Sequence, residues 1–159
     1  MIRVAWGAGA AETPMASLDA ALAEAGAHQY NIRELSSVIP AGVAVETPGR
    51  LPALGAPGTA VDAVLARRTS PPGEPAVAGL AWARGAEEDE PLGVGTFYET
   101  GGTNRDRVRE RLRTGIARGA ALRDIDPVEP EFRVVETGPT EHHVSAVALA
   151  AYGNAEPLV

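Results

Sequence analysis

The sequence predicts an α+β fold for a single domain spanning residues 1–159. Two segments carry apolar residues at helical spacing and have capping residues at their ends. Other segments are short and rich in valine, alanine and leucine, which is typical of strands. The order along the chain is strand, helix, strands, helix, strands, and most neighbouring strands are expected to pair antiparallel. This length also falls in the usual range of roughly 100–200 residues for one domain.

The two helices are marked by their terminal residues. The first is predicted to begin at Thr13-Pro14 and to end at Gly26. Threonine is a favoured N-cap, proline suits the first helical position, and glycine readily ends a helix. The second is predicted over residues 104–120, with Thr103 or Asn104 as its cap. An apolar residue recurs there at every fourth position among many arginines, which indicates one buried face.

Strands account for most of the remaining chain. They are predicted over residues 2–6, 29–38, 43–45, 59–67, 76–84, 92–99, 131–136 and 143–152. A solvated acidic loop is predicted over residues 85–90.

Composition limits the chemistry that the chain can perform. It has no cysteine, which excludes disulfides, thiolate metal sites and a thiol nucleophile. All 14 basic residues are arginine, so a lysine Schiff base is not available. The net charge of −7 argues against nucleic acid and anionic membranes as partners and leaves cationic partners open. Without a signal core or a membrane-spanning stretch, the protein is expected to be cytoplasmic.

A glycine-rich segment resembles part of a dinucleotide-binding fingerprint. Gly7-Ala8-Gly9 follows the first predicted strand and precedes the first helix, and Glu34 ends a later strand. However, Glu12 occupies the position of the third glycine, where a carboxylate would lie beside the pyrophosphate. We therefore interpret the segment as a tight turn, with a nucleotide-binding module as the alternative.

Histidines do not indicate a metal site. His142 and His143 are adjacent, so on a strand their side chains point to opposite faces and cannot chelate one ion together. His28 is the remaining histidine in the sequence. No metal is therefore expected.

A series of motifs in the first part of the chain resembles the pyruvoyl-dependent arginine decarboxylases. These motifs are Glu12-Thr13-Pro14, Asp19-Ala20-Ala21-Leu22, Ala25-Gly26, Asn31-Ile32-Arg33 and Leu35-Ser36-Ser37-Val38-Ile39-Pro40. A serine pair alone has little meaning, whereas this order and spacing is specific. Weaker likeness continues through residues 93–102, the arginine-rich helix and the last strand, and so covers nearly the whole chain.

The resemblance implies a fold, an assembly and a self-made cofactor. The fold would be a four-layer α/β/β/α sandwich, assembled as a homotrimer or a dimer of trimers with sites at subunit boundaries. The Ser37 hydroxyl would attack the Ser36 carbonyl, and elimination would split the chain into residues 1–36 and 37–159. Hydrolysis of the resulting dehydroalanine would leave a pyruvoyl group at position 37. Such a group replaces the missing lysine as the electrophile.

The resemblance also implies an activity and roles for further residues. The expected reaction converts L-arginine to agmatine and carbon dioxide through a Schiff base on pyruvoyl-37, as in polyamine biosynthesis. Asn31 matches the residue that polarises the scissile carbonyl. Asp19 matches the aspartate that pairs with the cationic end of the substrate, and a carboxylate suits a guanidinium because it accepts two parallel hydrogen bonds.

One position departs from the family pattern. The family places its proton-donating glutamate immediately before a tyrosine–glutamate pair, but here Phe97 precedes Tyr98-Glu99. Phenylalanine cannot donate a proton, so Glu99, on the same face of the strand, is the predicted catalytic acid. Because Glu99 lies about 6–7 Å further along, it would need a shifted register or a rebuilt pocket.

Phe97 leaves two further hypotheses open beside arginine decarboxylation. The same cofactor would act on another amino acid, because phenylalanine makes the pocket more apolar. Alternatively, the chain is an inactive or unprocessed homologue that serves as a binding or scaffold subunit.

Overall fold

The computed structural model describes residues 1–85, 92–126 and 129–159. The predicted acidic loop lies outside these residues apart from Gly85. Within the described ranges the fold is mixed α/β, with two helices and two sheets. The elements are β1 (Ile2–Ala11), α1 (Pro14–Ala25), β2 (Asn31–Glu34), β3 (Val38–Ile39), β4 (Val45–Gly49), β5 (Ala60–Ser70), β6 (Ala76–Arg84), β7 (Gly95–Gly102), α2 (Arg105–Ala121), β8 (Glu131–Thr137) and β9 (His143–Glu156).

Both helices begin where their capping residues predict. The Thr13 side chain accepts a hydrogen bond from the Ala16 amide at 3.1 Å, and Pro14 occupies the first turn of α1. Gly26 ends α1 with a left-handed φ of 80°. For α2 the cap is Asn104, whose side chain accepts from the Arg107 amide at 3.0 Å.

The strands form a five-stranded and a four-stranded sheet. The larger has the order β2-β5-β9-β1-β4 and the smaller the order β3-β7-β6-β8. β1 pairs with β4 and β2 pairs with β5 in parallel, whereas the other described pairs are antiparallel. The expectation of a mostly antiparallel α+β fold is therefore confirmed.

The predicted glycine turn is wrong. β1 continues through Gly7 and Gly9 to Ala11, and it pairs with β9 over this whole length. A Cβ atom on Gly7 would overlap the backbone carbonyl of Ala21, and one on Gly9 would lie 2.5 Å from the Ala20 Cβ atom. The glycines are therefore needed for close packing of α1 on the strand, and they do not form a phosphate-binding turn.

The core has three parts. The facing sides of the two sheets enclose the first, which includes Val4, Val64, Leu80 and Ala148. Residues of α1 such as Ala21 and Ala25 pack with the other side of the larger sheet. On α2, Val108, Leu112 and Ile116 pack with the other side of the smaller sheet. None of the described helices is long and apolar enough to cross a membrane.

The segment predicted as one strand over residues 29–38 is divided. β2 ends at Glu34 in the larger sheet, and β3 begins at Val38 in the smaller sheet. The chain therefore crosses between the sheets at residues 35–37. This crossing places the Ser36-Ser37 pair at the edge strand beside β7.

Candidate active site

Ser37 has a strained backbone conformation. Its φ is 36°, in the left-handed region that residues with a Cβ atom seldom occupy. Such a conformation costs of order 1–3 kcal/mol and persists only where surrounding contacts enforce it. The predicted cleavage site, the Ser36–Ser37 peptide bond, adjoins this strained residue.

The carbonyl oxygen of Ser37 accepts two hydrogen bonds from β7. The Phe97 amide donates at 2.8 Å and the Thr96 hydroxyl at 3.1 Å. The hydrogen bond from the Phe97 amide continues the β3–β7 ladder, in which Val38 pairs with Thr96. Thr96 and Phe97 are only 1% and 2% exposed, so water competes little for this carbonyl. Residue 37 is thus held by its main chain, independently of its side chain.

The hydroxyl of Ser37 donates a hydrogen bond to Glu99 Oε2 at 3.0 Å. Ser37 lies alongside Phe97 on β7, and its side chain reaches along the strand to the glutamate two residues further on. The structure therefore brings Ser37 and Glu99 together without a register shift. Phe97 points into the core, with ring centroids 6.0 Å from Trp82 and 6.3 Å from Tyr152.

Tyr152 forms a hydrogen bond with Val38, the residue that follows Ser37. Its hydroxyl donates to the Val38 carbonyl at 2.8 Å. The pKa of Tyr152 is raised to about 12, chiefly by burial; the nearby positive charge of Arg84 lowers this pKa and the negative charge of Glu99 raises it. The phenol therefore keeps its proton, and with it this hydrogen bond, throughout the neutral range.

Beside Ser37 lies a cavity of about 620 Å³, a size that suits a small-molecule ligand. Ser37, Tyr98 and Glu99 line it together with one face of α2. The charged side chains that α2 and the residues following it contribute are Glu110, Arg111, Arg118 and Arg123. The tyrosine ring packs against Gly115, where a Cβ atom would overlap it, so this glycine gives the ring its place beside the helix.

Two predicted site residues lie elsewhere on the chain. Asn31 is exposed at the start of β2, and its Nδ2 atom donates to the Gly58 carbonyl at 2.9 Å. Asp19 is exposed on α1, which packs on the larger sheet, whereas the cavity lies beside α2. Neither residue is among those that line the cavity. One chain therefore brings together Ser37 and Glu99, but not Asn31 or Asp19.

Comparison with known proteins identifies the family. The family model for pyruvoyl-dependent arginine decarboxylase matches residues 1–157. The chain belongs to this family. Two curated relatives named pyruvoyl-dependent arginine decarboxylase, from two strains of Halobacterium salinarum, are each 45% identical over 160 residues. The match covers 99% of this chain and 96% of each relative.

Membership in this family confirms the resemblance inferred from the motifs, and it implies a cofactor. Pyruvoyl-dependent arginine decarboxylases use a pyruvoyl group, which is formed from a serine. Ser37 and its surroundings fit such a group. The serine has a strained backbone, a carbonyl anchored on β7, a hydroxyl bound to a carboxylate, and an adjoining cavity.

Sequence reasoning about this pyruvoyl-dependent decarboxylase missed Thr96 and Tyr152. Thr96 stands next to Phe97, and its contact with Ser37 follows from the β3–β7 register, which the sequence does not give. Tyr152 is 114 residues from Val38, and no local pattern relates the two. Both contacts come from tertiary pairing of distant strands.

The raised pKa of Tyr152 predicts an alkaline loss of stability. The unfolded phenol titrates near its ordinary value of 10.0, whereas the folded one titrates at about 12. Between these values the folded state binds more protons, so this contribution to stability is complete below about pH 10 and is lost as pH approaches 12. When thermal unfolding is measured across this pH range, the melting temperature should fall more steeply with pH for the wild type than for Tyr152→Phe. Equal slopes would contradict the raised pKa.

Proposed function

We propose that this chain cleaves itself between Ser36 and Ser37 and then decarboxylates L-arginine to agmatine and carbon dioxide. The conformation and contacts of residue 37 are the single observation that carries this proposal. The names of the family and of the two relatives support arginine as the substrate. The first product of cleavage would be residues 1–36, and the second, residues 37–159, would carry the pyruvoyl group.

Glu99 acts as the base in the first step of this cleavage. Its carboxylate already accepts the hydrogen bond of the Ser37 hydroxyl, so it is placed to take that proton as the oxygen attacks the Ser36 carbonyl. The attack replaces the amide linkage by an ester. Glu99 passes the proton on to the leaving nitrogen, which becomes the free amino group of residue 37, and the carboxylate is ionised again for the next step. Strain at φ 36° favours this rearrangement, because the left-handed residue no longer carries a peptide bond on its amino side.

In the mature enzyme Glu99 serves as the catalytic acid. The pyruvoyl group supplies the electrophilic carbonyl that accepts the electrons released with carbon dioxide. Glu99 adjoins both residue 37 and the cavity, so it is placed to deliver a proton to the substrate α-carbon. Phe97 closes the core beneath the site and excludes water from the strand beside it.

A second copy of the chain completes the substrate site. The family arrangement that we propose is a four-layer α/β/β/α sandwich, assembled as a homotrimer or a dimer of trimers with sites at subunit boundaries. Asp19 and Asn31 are both exposed and lie outside the cavity of their own chain, which supports their contribution to a neighbouring site. There Asp19 would pair with the substrate guanidinium and Asn31 would polarise the Ser36 carbonyl.

Self-cleavage is tested by the intact mass of the denatured protein. We expect two fragments that meet between Ser36 and Ser37, the larger lighter by one ammonia than the corresponding serine-started chain. Ser37→Ala removes the nucleophile, so it should remain a single chain without arginine decarboxylase activity. A wild-type chain that stays uncleaved on long incubation would instead favour the non-enzymatic homologue.

The role of Glu99 is tested by its amide. Glu99→Gln keeps the shape but cannot take a proton, so cleavage should slow by roughly a hundredfold or more. Glu110→Gln is the matched control, because Glu110 lines the same cavity and is not bonded to Ser37. The measurement is the fraction cleaved against time, by mass spectrometry. Equal rates for the two variants would remove Glu99 from the mechanism.

The shared site is tested by subunit complementation. Ser37→Ala lacks the cofactor and Asp19→Asn lacks the carboxylate for the guanidinium, so each variant alone should decarboxylate arginine poorly. Co-expressed chains that form mixed oligomers should regain activity, because one boundary then combines an intact Asp19 with a cleaved Ser37. No recovery in mixed oligomers of verified composition would contradict a site that is shared between Asp19 of one chain and Ser37 of another.

A further inference from the structure

The two hydrogen bonds to the Ser37 carbonyl have a chemical consequence during self-cleavage. Once the ester between Ser36 and Ser37 has formed, the chain separates by elimination across the Cα–Cβ bond of residue 37. Removal of the Cα proton places negative charge on the carbonyl oxygen of the same residue, because the carbanion is delocalised as an enolate. That oxygen is the acceptor of the Phe97 amide at 2.8 Å and of the Thr96 hydroxyl at 3.1 Å.

We propose that the Phe97 amide and the Thr96 hydroxyl form an oxyanion hole for this elimination step, with Thr96 as the side chain that supplies its second donor. This inference rests on the proposed cleavage at Ser37. It concerns a different oxygen from the Ser36 carbonyl, which carries the charge during the preceding acyl shift. It therefore assigns the two steps of cleavage to two separate sets of donors.

The geometry meets the requirements of such a site. Both donors lie within the 2.7–3.1 Å range that is effective for an oxyanion. Thr96 and Phe97 are almost fully buried, so the low polarity of their surroundings strengthens the interaction with developing charge. β7 holds both donor atoms in place before the reaction begins, so only the hydroxyl proton of Thr96 has to turn as the charge appears.

The Thr96 hydroxyl has a second acceptor, which makes its response selective for the charged state. It also lies 3.1 Å from the Phe97 carbonyl, and its one proton can serve only one of these oxygens at a time. As the Ser37 carbonyl becomes an enolate, it becomes the stronger acceptor. The bond from Thr96 is therefore stronger in the transition state than in the ground state, which is the condition for lowering the barrier.

Elimination removes one proton from residue 37 and releases the Ser36 carboxylate. The Cα proton of residue 37 passes to the Glu99 carboxylate, and the electron pair of the C–H bond forms the Cα–Cβ double bond. The Cβ–Oγ bond breaks, and Oγ leaves with its electron pair as part of the new Ser36 carboxylate. Water then hydrolyses the dehydroalanine, through its imine tautomer, to the pyruvoyl group and ammonia. The hydroxyl of Thr96 is not consumed.

Substitution of Thr96 separates this step from the acyl shift. Thr96→Val keeps the shape and removes only the hydroxyl, while the Phe97 amide remains on the Ser37 carbonyl. Loss of one oxyanion-hole donor typically slows a reaction roughly 100- to 1,000-fold, so elimination should slow on this scale. Thr96→Ser retains the hydroxyl and should cleave close to the wild-type rate. Thr96→Ala is a second variant without the hydroxyl, and circular dichroism verifies that all three are folded.

Hydroxylamine at neutral pH provides the decisive readout, because it cleaves the ester but not the amide. We expect freshly translated Thr96→Val and Thr96→Ala to yield residues 37–159 with an intact amino-terminal serine after this treatment. Ser37→Ala, which cannot form the ester, should resist it. Pyruvoyl formation at the wild-type rate in Thr96→Val would overturn the proposal, as would slow cleavage without a hydroxylamine-sensitive ester. A wild-type chain that never cleaves at Ser37 would instead overturn the proposed function.

Discussion

The hydrogen bonds that tie the carbonyl of residue 37 to β7 control the geometry of the whole site. The chain leaves the larger sheet after Glu34 and enters the smaller sheet at Val38, so only residues 35–37 cross the space between them. Donation from Phe97 extends the β3–β7 ladder backward by one residue into this crossing. Ser37 is thereby placed at the edge of the smaller sheet, facing both Glu99 and the cavity beside α2.

These bonds also explain how a strained serine is retained. A left-handed φ costs of order 1–3 kcal/mol, and a typical hydrogen bond stabilises the folded state by about 0.5–1.5 kcal/mol net. The two bonds to the Ser37 carbonyl and the one from Tyr152 to the Val38 carbonyl are therefore of the size needed to offset the strain. None of them acts on the Ser36–Ser37 peptide bond, so these anchors would stay intact during the cleavage that we propose.

Local signals in the sequence predicted the helices well, whereas features that depend on contacts between distant residues could not be predicted from it. Thr13, Gly26 and Asn104 cap helices through neighbouring backbone atoms, so short-range chemistry was sufficient there. The predicted turn at the glycines of β1 is wrong, because glycine is required there by the close approach of α1 and not by the conformation of a turn. The family motifs predict Ser37 as the processed residue, but the proximity of Thr96, Glu99 and Tyr152 to this segment depends on strand register, which periodicity does not specify.

The exchange of a carboxylate for Phe97 is consistent with the physics of its position. Phe97 is 2% exposed and packs between Trp82 and Tyr152 in the core that the two sheets enclose. An ionised carboxylate there would lose its hydration, which is strongly unfavourable unless a charge or hydrogen-bond partner compensates. Glu99 lies two residues further along β7, is partly exposed and lines the cavity. A carboxylate at that point contacts Ser37 and lines the cavity, so the acid–base role that we propose for Glu99 and the apolar core occupy adjacent positions without conflict.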